Sequence, residues 1–140
     1  MSGICEGRVV IITGAGGGLG AAHARVLAQE GACVVVNDIN EAAAAKVVAQ
    51  ITEAGGRAVV NTSDITNYDD SLNAVKQALD SYGDLHGVVN NAGINRDRMF
   101  ASMTEEDWDL IMAVHLKGHF CISSHAVHYW RCVAKEGEPG

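Results

Sequence analysis

Residues 13–20 read Thr13-Gly14-Ala15-Gly16-Gly17-Gly18-Leu19-Gly20, and this glycine-rich stretch decides the fold. It follows Arg8–Ile12, whose β-branched run is typical of a strand buried on both faces of a parallel sheet. Apolar residues then recur at helical spacing until Gly31, which is placed to end a helix: Leu19, Ala22, Val26 and Leu27. Glycines at such a turn let backbone N–H groups approach a phosphate at the positive end of the helix. The stretch therefore predicts a dinucleotide-binding turn.

The alternation of strand and helix continues along the chain. Strands are predicted over residues 32–37, 58–60 and 85–90, and helices over 41–54, 68–82 and from Thr104, where Asp107 completes a capping-box start. The predicted buried helix faces are Ala45, Val48 and Ile51; Leu72, Val75 and Leu79; and Trp108, Ile111, Met112, His115 and Leu116. Because parallel strands need crossover helices, the pattern predicts an α/β fold, a Rossmann-like doubly wound sheet of four strands with flanking helices. One domain is expected over residues 1–134, with an unstructured tail over 135–140.

Composition narrows the classes of function. Seventeen acidic and ten basic side chains give a formal net charge of −7 without a Lys/Arg cluster, so nucleic acid is not an expected partner. No apolar run approaches the roughly 20 residues of a membrane-spanning helix, and no signal-peptide pattern starts the chain. We therefore expect a cytoplasmic protein that does not bind a membrane. The four cysteines form no C-x-x-C pair, which predicts free thiols.

Asp38 ends the second predicted strand and follows the glycine-rich turn at the distance of a ribose-binding acid. A carboxylate there can accept hydrogen bonds from a ribose 2′-OH and repels a 2′-phosphate, which favours NAD over NADP. The alternative is a turn aspartate before the helix at Glu41, because Asp-Ile-Asn is also good capping sequence.

Two motifs resemble those of a known family. The spacing Thr13-Gly14-x-x-x-Gly18-x-Gly20 and the later segment Asn90-Asn91-Ala92-Gly93 are similar to the signatures of the short-chain dehydrogenases/reductases. The resemblance covers nearly the whole chain and implies an NAD(P)-dependent oxidoreductase that transfers a hydride between nicotinamide and a secondary alcohol or ketone. Together with the turn, it predicts these cofactor-binding residues: Thr13, Gly14, Gly16, Gly18, Leu19, Gly20, Asp38, Asp64, Ile65, Asn90, Asn91, Ala92 and Gly93.

Asp64-Ile65 is similar to the family's acidic-hydrophobic pair after the third strand. In the family the carboxylate meets the adenine amino group and the next backbone N–H meets a ring nitrogen. The alternative for Asp64 is an Asx cap before the following helix.

His115 stands where the family's catalytic tetrad has an Asn, which holds a water that relays protons toward the active-site Lys. A His at this position can also donate and accept hydrogen bonds. Together with Asn37-Asp38 and Ile94–Met99, His115 resembles most closely the (3R)-hydroxyacyl-CoA dehydrogenase region of type-2 multifunctional β-oxidation enzymes. This resemblance suggests 3-hydroxyacyl thioesters as a substrate class.

The other tetrad members are not found in the sequence. The family's Tyr is followed by Lys four residues on, but Tyr129 is followed by Val133, and Tyr68 and Tyr82 fail the spacing too. Ser123 and Ser124 fall in a predicted helix, where a surface or packing role is expected. We therefore expect a C-terminally truncated N-terminal half that is inactive alone. The alternative is a non-catalytic nucleotide-binding or regulatory module.

Two expectations concern partners. The fourth strand would have an unpaired edge, which predicts a homo-oligomer or an aggregation-prone chain. Four histidines lie close together at His115, His119, His125 and His128, but without an H-E-x-x-H arrangement, so no metal site is predicted.

Overall fold

The computed structural model describes residues 3–94 and 99–136, and its centre is a four-stranded parallel sheet between two layers of helices. The strands are β1 (Val9–Thr13), β2 (Cys33–Asn37), β3 (Arg57–Asn61) and β4 (Gly87–Val89). The helices are α1 (Gly18–Gln29), α2 (Glu41–Glu53), α3 (Tyr68–Tyr82), α4 (Glu105–Met112) and α5 (Gly118–Lys135), with a 3-10 turn at Phe100–Ser102. This order confirms the predicted α/β alternation.

The strand order is β3-β2-β1-β4, so the chain passes from one edge of the sheet to the other between β3 and β4. In the register of the central pair, Val9 lies beside Cys33 and Thr13 beside Asn37. The carboxyl ends of β1, β2 and β3 therefore lie at the same end of the sheet. In doubly wound sheets, ligands bind at the carboxyl ends of the strands, at the point where the strand order reverses.

The buried residues form one cluster on each face of the sheet. On one face, alternate strand residues such as Ile12 and Val34 pack against α1 and α2. On the other face, Ile11 and Val35 pack with α3 and with Ile122 of α5. Because both faces are covered, β1 and β2 are almost entirely apolar and buried, as the sequence predicted.

Helices α1 and α2 contact the sheet largely through small side chains. The buried residues of α1 are Gly20, Ala21, Ala24 and Ala28, whereas Leu19 and Val26, two of the apolar residues at helical spacing, are 74% and 57% exposed. In α2, Ala44 and Val47 are buried beside Ile51, and Ala45 is exposed. Small side chains let a helix approach a sheet closely, whereas a periodicity argument gives most weight to the largest apolar residues.

The helix that begins after Thr104 is interrupted. Thr104 and Asp107 form the predicted capping box, with Thr104 Oγ1 accepting the Asp107 N–H at 3.0 Å. The α-helix ends at Met112, and a π-helical turn over Ala113–Lys117 connects it to α5. Three residues of the predicted buried face are exposed: Trp108 in α4, and His115 and Leu116 in the π-helical turn.

The two ends of the chain are described only in part. Helix α5 includes Lys135, so this residue does not belong to an unstructured tail as predicted, and residues 137–140 of that tail lie outside the described residues. Residues 95–98, which contributed to the family resemblance, also lie outside them. Across residues 3–94 and 99–136, no helix has the length and apolar character needed to cross a membrane.

Candidate dinucleotide-binding site

A cavity of about 440 Å³ opens at the carboxyl ends of the strands. Its walls come from the turn after β1, from the residues that follow β2, β3 and β4, and from Val114 in the π-helical turn. The volume falls within the usual range of small-molecule sites. Every wall residue except Val114 lies at the carboxyl ends of the strands, and the wall includes the turns after β1 and β4, between which the strand order reverses. This is the expected position for a dinucleotide.

The glycine-rich turn brings the amino end of α1 to this cavity. Gly14 has a φ of +63°, and a Cβ placed on it would lie 2.8 Å from the Ala92 Cα, so the backbone conformation and the close approach both require glycine. Gly17 is the N-cap of α1 and provides no side-chain cap, and the first turn of the helix contains no acidic residue. The first backbone N–H groups of α1 and the positive end of its dipole therefore suit an anion.

Three of the other helices begin differently, and α5 continues directly from the π-helical turn. Asn40, Asn67 and Thr104 cap α2, α3 and α4 through their side chains, and each of these three helices has an acidic residue in its first turn. Acidic side chains there complement the positive end of the helix dipole. Because α1 alone among these four helices has neither feature, its amino end differs from the others at the one place where the cavity meets it.

Asp38 lies on the opposite side of this turn. Its Oδ2 accepts the Gly16 N–H at 2.9 Å, and its Oδ1 accepts the Asn40 N–H at 2.9 Å. The second bond is the Asx turn of the alternative interpretation, but the residue that caps α2 is Asn40. Each carboxylate oxygen can accept a further hydrogen bond, so the turn role leaves acceptor capacity for ribose hydroxyls.

Asp64 and Ile65 line the same cavity beyond β3. Asp64 Oδ1 accepts both the N–H and the hydroxyl of Thr66, at 2.9 and 2.6 Å, which is the Asx geometry of the alternative interpretation. Its Oδ2 receives no hydrogen bond from the described residues. Ile65 is buried and would contact a Cβ placed on Gly118, so it also joins the cavity wall to α5.

Thr13 and Asn91 connect the ends of β1 and β4. Thr13 is fully buried, and its Oγ1 accepts the backbone N–H groups of Asn91 and Ala92, both at 3.0 Å. Asn91 Nδ2 donates to the backbone oxygens of Thr13 and Gly14 at 3.2 and 3.3 Å. These side chains therefore hold the walls of the cavity together.

Asn90 faces away from these contacts and toward α5. Its Nδ2 donates to Ser123 Oγ at 3.0 Å, which gives Ser123 the packing role expected of it. Its Oδ1 is buried and has no partner among the described residues.

His115 lies in the π-helical turn and contacts the backbone that follows the Asn90–Gly93 segment. Its Nε2 lies 3.0 Å from the Ile94 N and 2.7 Å from the Ile94 O. A neutral ring can satisfy only one of these groups with this nitrogen, by accepting from the N–H or by donating to the carbonyl. A Cβ placed on Gly93 would lie 2.7 Å from the His115 Cε1, so the ring covers this segment. The contacts indicate a positioning role for the side chain.

The cavity brings together half of the predicted site residues. Those that line it are Gly14, Asp38, Asp64, Ile65, Asn91, Ala92 and Gly93. Those that do not line it are Thr13, Gly16, Gly18, Leu19, Gly20, Asn90 and His115, and Leu19 points largely into solvent. The lining residues that the prediction did not include are Gly17, Asn37, Ile39, Ser63, Thr66, Ile94 and Val114. Each of them is adjacent in sequence to a predicted site residue, and this adjacency was the available signal.

In the described part of the chain, no group of three or more His, Cys, Asp or Glu side chains is arranged to hold a metal ion.

Comparisons with known proteins identify the family of the chain. A sequence profile described as short chain dehydrogenase matches residues 8–138. The hydroxyacyl-CoA dehydrogenase ChsB1 of Mycobacterium tuberculosis is 45% identical over 140 residues, which cover 96% of this chain and 44% of that protein. The peroxisomal multifunctional enzyme type 2 of Mus musculus is 47% identical over 130 residues, which cover 86% of this chain and 17% of that protein.

A similar solved structure is that of a short chain dehydrogenase from Mycobacterium avium, with a TM-score of 0.95 and 48% sequence identity. The match covers 98% of this chain and 52% of that one. The chain thus spans about half the length of this structure and less than half the length of the two curated relatives.

Proposed function

Since the chain belongs to the short-chain dehydrogenase family, whose members bind nicotinamide dinucleotides, we propose that it binds NAD as the cofactor half of an oxidoreductase. One observation carries the proposal: the uncapped amino end of α1 and the carboxylate of Asp38 border a single cavity at the carboxyl ends of the strands. The first suits a pyrophosphate and the second suits a ribose. NAD supplies the hydride acceptor, and the chain supplies binding and orientation.

Different residues of the cavity would bind different parts of the cofactor. The turn at Gly14 and Gly17 and the first N–H groups of α1 would hold the pyrophosphate. Asp38 would accept hydrogen bonds from the adenosine ribose, and Asp64 with the Ile65 N–H would bind the adenine edge. The Asn91–Gly93 segment would line the path toward the nicotinamide.

Asp38 also supports the preference for NAD over NADP. A 2′-phosphate would meet its negative charge, and residues 13–20 contain no Lys or Arg to neutralise the phosphate. Titration of the purified chain with NADH and NADPH, followed by nicotinamide fluorescence, tests this preference. We expect NADH to bind at least about tenfold more tightly. Equal or tighter binding of NADPH would contradict the preference, and no binding of either cofactor would contradict the proposed function.

The proposed reaction is hydride transfer between nicotinamide and a secondary alcohol or ketone. The relative named as a hydroxyacyl-CoA dehydrogenase supports 3-hydroxyacyl-CoA as the substrate class. The Tyr and Lys that manage the substrate proton in this family have no counterpart at the required spacing in this sequence. His115 does not replace them, because its Nε2 is engaged with the backbone of Ile94.

We therefore expect the isolated chain to be catalytically silent. General acid–base catalysis typically contributes about 10²–10⁴-fold, so its loss should leave NADH formation at background. The assay measures NADH absorbance with 3-hydroxyacyl-CoA and NAD, with the full-length relative ChsB1 as the positive control. If NADH formation copurified with the chain and were abolished by His115→Ala, it would show that His115 takes part in catalysis and that the chain is active by itself.

The alternative is a nucleotide-binding or regulatory module without catalysis. Tight NADH binding would favour this alternative if the chain showed no turnover even when it is extended by a segment that contains the missing Ser, Tyr and Lys. The cytoplasmic location stays a prediction, since one similar protein is peroxisomal by name.

A further inference from the structure

Three amide side chains form a continuous hydrogen-bonded row beneath the adenosine end of the cavity. Asn37 ends β2 and Asn61 ends β3, and the parallel register places them side by side. Asn37 Nδ2 donates to Asn61 Oδ1 at 2.7 Å, and Asn61 Nδ2 donates to Gln77 Oε1 of α3 at 2.8 Å. Gln77 Nε2 then donates to the Val60 backbone oxygen at 2.7 Å. We call these three residues the amide row.

The amide row also holds the backbone that leads to Asp64. Asn37 Nδ2 donates to the Ser63 backbone oxygen at 3.1 Å, and the Ser63 N–H donates to Asn61 Oδ1 at 3.1 Å. Ser63 is thereby bound at both its N–H and its carbonyl, and it is 6% exposed. The residue that follows Ser63 is Asp64, whose carboxylate is assigned to the adenine edge and whose N–H donates to Asp70 Oδ2 at 2.7 Å. The amide row therefore holds the backbone that enters Asp64, and Asp70 holds its N–H.

The row is an unusual choice for this position. Asn is disfavoured in strands, and Asn37 and Asn61 are 2% and 6% exposed. Buried amides are costly unless they are hydrogen-bonded, and aliphatic residues would pack there without that requirement. The amides contribute a defined geometry, because a fully hydrogen-bonded polar network stabilises one arrangement of the groups that it joins.

Gln77 occupies the far end of the row. It lines a polar groove between β3 and α3, and it does not line the cofactor cavity. Its effect on the cavity therefore passes through Asn61, which binds Ser63, and through Asn37, which precedes Asp38. The row thus connects the two carboxylates assigned to the ribose and to the base.

We infer that Gln77 is a remote positioning residue for base recognition, acting through Asn61 and Asn37 to hold Asp64 at the adenine edge. The inference rests on the proposed function, because it assumes that the cavity binds a nicotinamide adenine dinucleotide. It assigns purine selectivity to a residue on α3 that has no contact with the cofactor.

The test compares NADH with reduced nicotinamide hypoxanthine dinucleotide, which has a carbonyl where adenine has its amino group. A general loss of stability weakens both ligands alike, whereas a displaced Asp64 weakens only the recognition of the amino group. Hypoxanthine also carries a proton on the ring nitrogen that adenine presents to the Ile65 N–H, so both contacts with the base are lost. In the parent chain we expect NADH to bind at least about tenfold more tightly. In Gln77→Met this ratio should fall to about one to two, mainly through weaker binding of NADH.

Two further variants complete the design. Gln50→Met is the control for the same substitution on another helix, since Gln50 of α2 accepts a single hydrogen bond, from Arg25 at 3.3 Å, at an exposed position that does not line the cofactor cavity. It should leave the ratio unchanged. Gln77→Ser removes the same two bonds with a short polar side chain and replaces Gln77→Met if that variant fails to fold by circular dichroism.

The outcomes are distinct. A parent chain that binds neither dinucleotide refutes the proposed function. A parent chain that binds both equally refutes base recognition by Asp64, and the inference with it. A parent preference that persists unchanged in Gln77→Met and Gln77→Ser, or that is lost equally in Gln50→Met, overturns the role of Gln77 while the proposed function stands.

Discussion

Asp38 combines two roles in one carboxylate. It holds the glycine-rich turn by accepting the Gly16 N–H, and it presents negative charge to the cavity. The contact is tight, because a Cβ placed on Gly16 would lie 2.6 Å from the Asp38 Oδ2. Removing the side chain therefore loosens the turn as well as removing the charge, and a variant that separates these effects is needed.

Asp38→Asn removes the charge and retains an oxygen acceptor for the turn, whereas Asp38→Ala removes both. We expect both variants to narrow the preference for NADH over NADPH from about tenfold to within about threefold, because the repulsion of the 2′-phosphate is lost. Only Asp38→Ala should also weaken NADH strongly. Asp80→Asn, an exposed residue of α3, removes the same charge elsewhere and should leave the preference unchanged. An undiminished preference in Asp38→Asn would contradict the assignment.

At the scale of elements, the C-terminal half of α5 is attached to the segment that leads into β4. Tyr129 Oη donates to Asp84 Oδ1 at 2.6 Å, and Trp130 Nε1 donates to the Leu85 backbone oxygen at 2.7 Å. The hydrogen bond from Tyr129 is the main cause that lowers the pKa of Asp84, assisted by the Leu85 N–H and by the nearby His86, against a smaller effect of burial. This attachment lies at the amino end of β4, whereas the cavity lies at the carboxyl ends of the strands.

Tyr129→Phe should lower the free energy of unfolding by about 1 kcal/mol at neutral pH, since the partner carboxylate is half-exposed. The pKa of Asp84 is lower in the folded chain than the ordinary 3.8, so this stabilisation is present above that pH and is lost as the pH falls through the folded value. The difference between parent and variant should therefore shrink below about pH 4. Urea unfolding at several pH values measures it.

Tyr68→Phe is the matched control for this measurement. Tyr68 is 44% exposed, and its contacts with Phe120 and His125 involve its ring and its backbone oxygen. Its hydroxyl can therefore be removed with a change of less than about 0.5 kcal/mol. A pH-independent effect of Tyr129→Phe would show that packing, and not the bond to Asp84, accounts for its contribution.

At the scale of the whole molecule, two surfaces favour contacts between copies of the chain. Strand β4 pairs with β1 on one side and has no strand on its other side among the described residues. The outer side of the α4–α5 region exposes large apolar side chains, with Trp108 at 54%, Leu116 at 62% and Phe120 at 62%. Unpaired strand edges and apolar patches both promote association.

We expect the isolated chain to form dimers or larger species at micromolar concentration, as measured by light scattering after size-exclusion chromatography. Phe120→Glu should weaken this association by placing a charge on the apolar side of α5. Val26→Glu makes a similar change at an exposed apolar site on α1 and should have a smaller effect. A stable monomer in the parent chain would contradict the prediction. Equal effects of the two variants would leave the β4 edge as the principal contact.

The sequence by itself determined the order of the elements, the glycine-rich turn and the family. These features depend on residues close together in the chain. The β-branched run of β1 needs burial on both faces, Gly14 needs a positive φ, and Thr104 with Asp107 forms a capping box within four residues. The motif spacing likewise predicted the family that the comparisons confirm.

The tertiary structure alone decided which helix residues face the sheet and which distant side chains meet. Ala24 is buried and Leu19 is exposed because packing sets which side of α1 faces the sheet. The spacing of apolar residues within one helix does not specify that packing. The amide row joins Asn37, Asn61 and Gln77 only because β2 and β3 are neighbours in register and α3 returns across them. Such contacts depend on strand order and on side-chain direction across the sheet, and neither is encoded within a few residues of any one position.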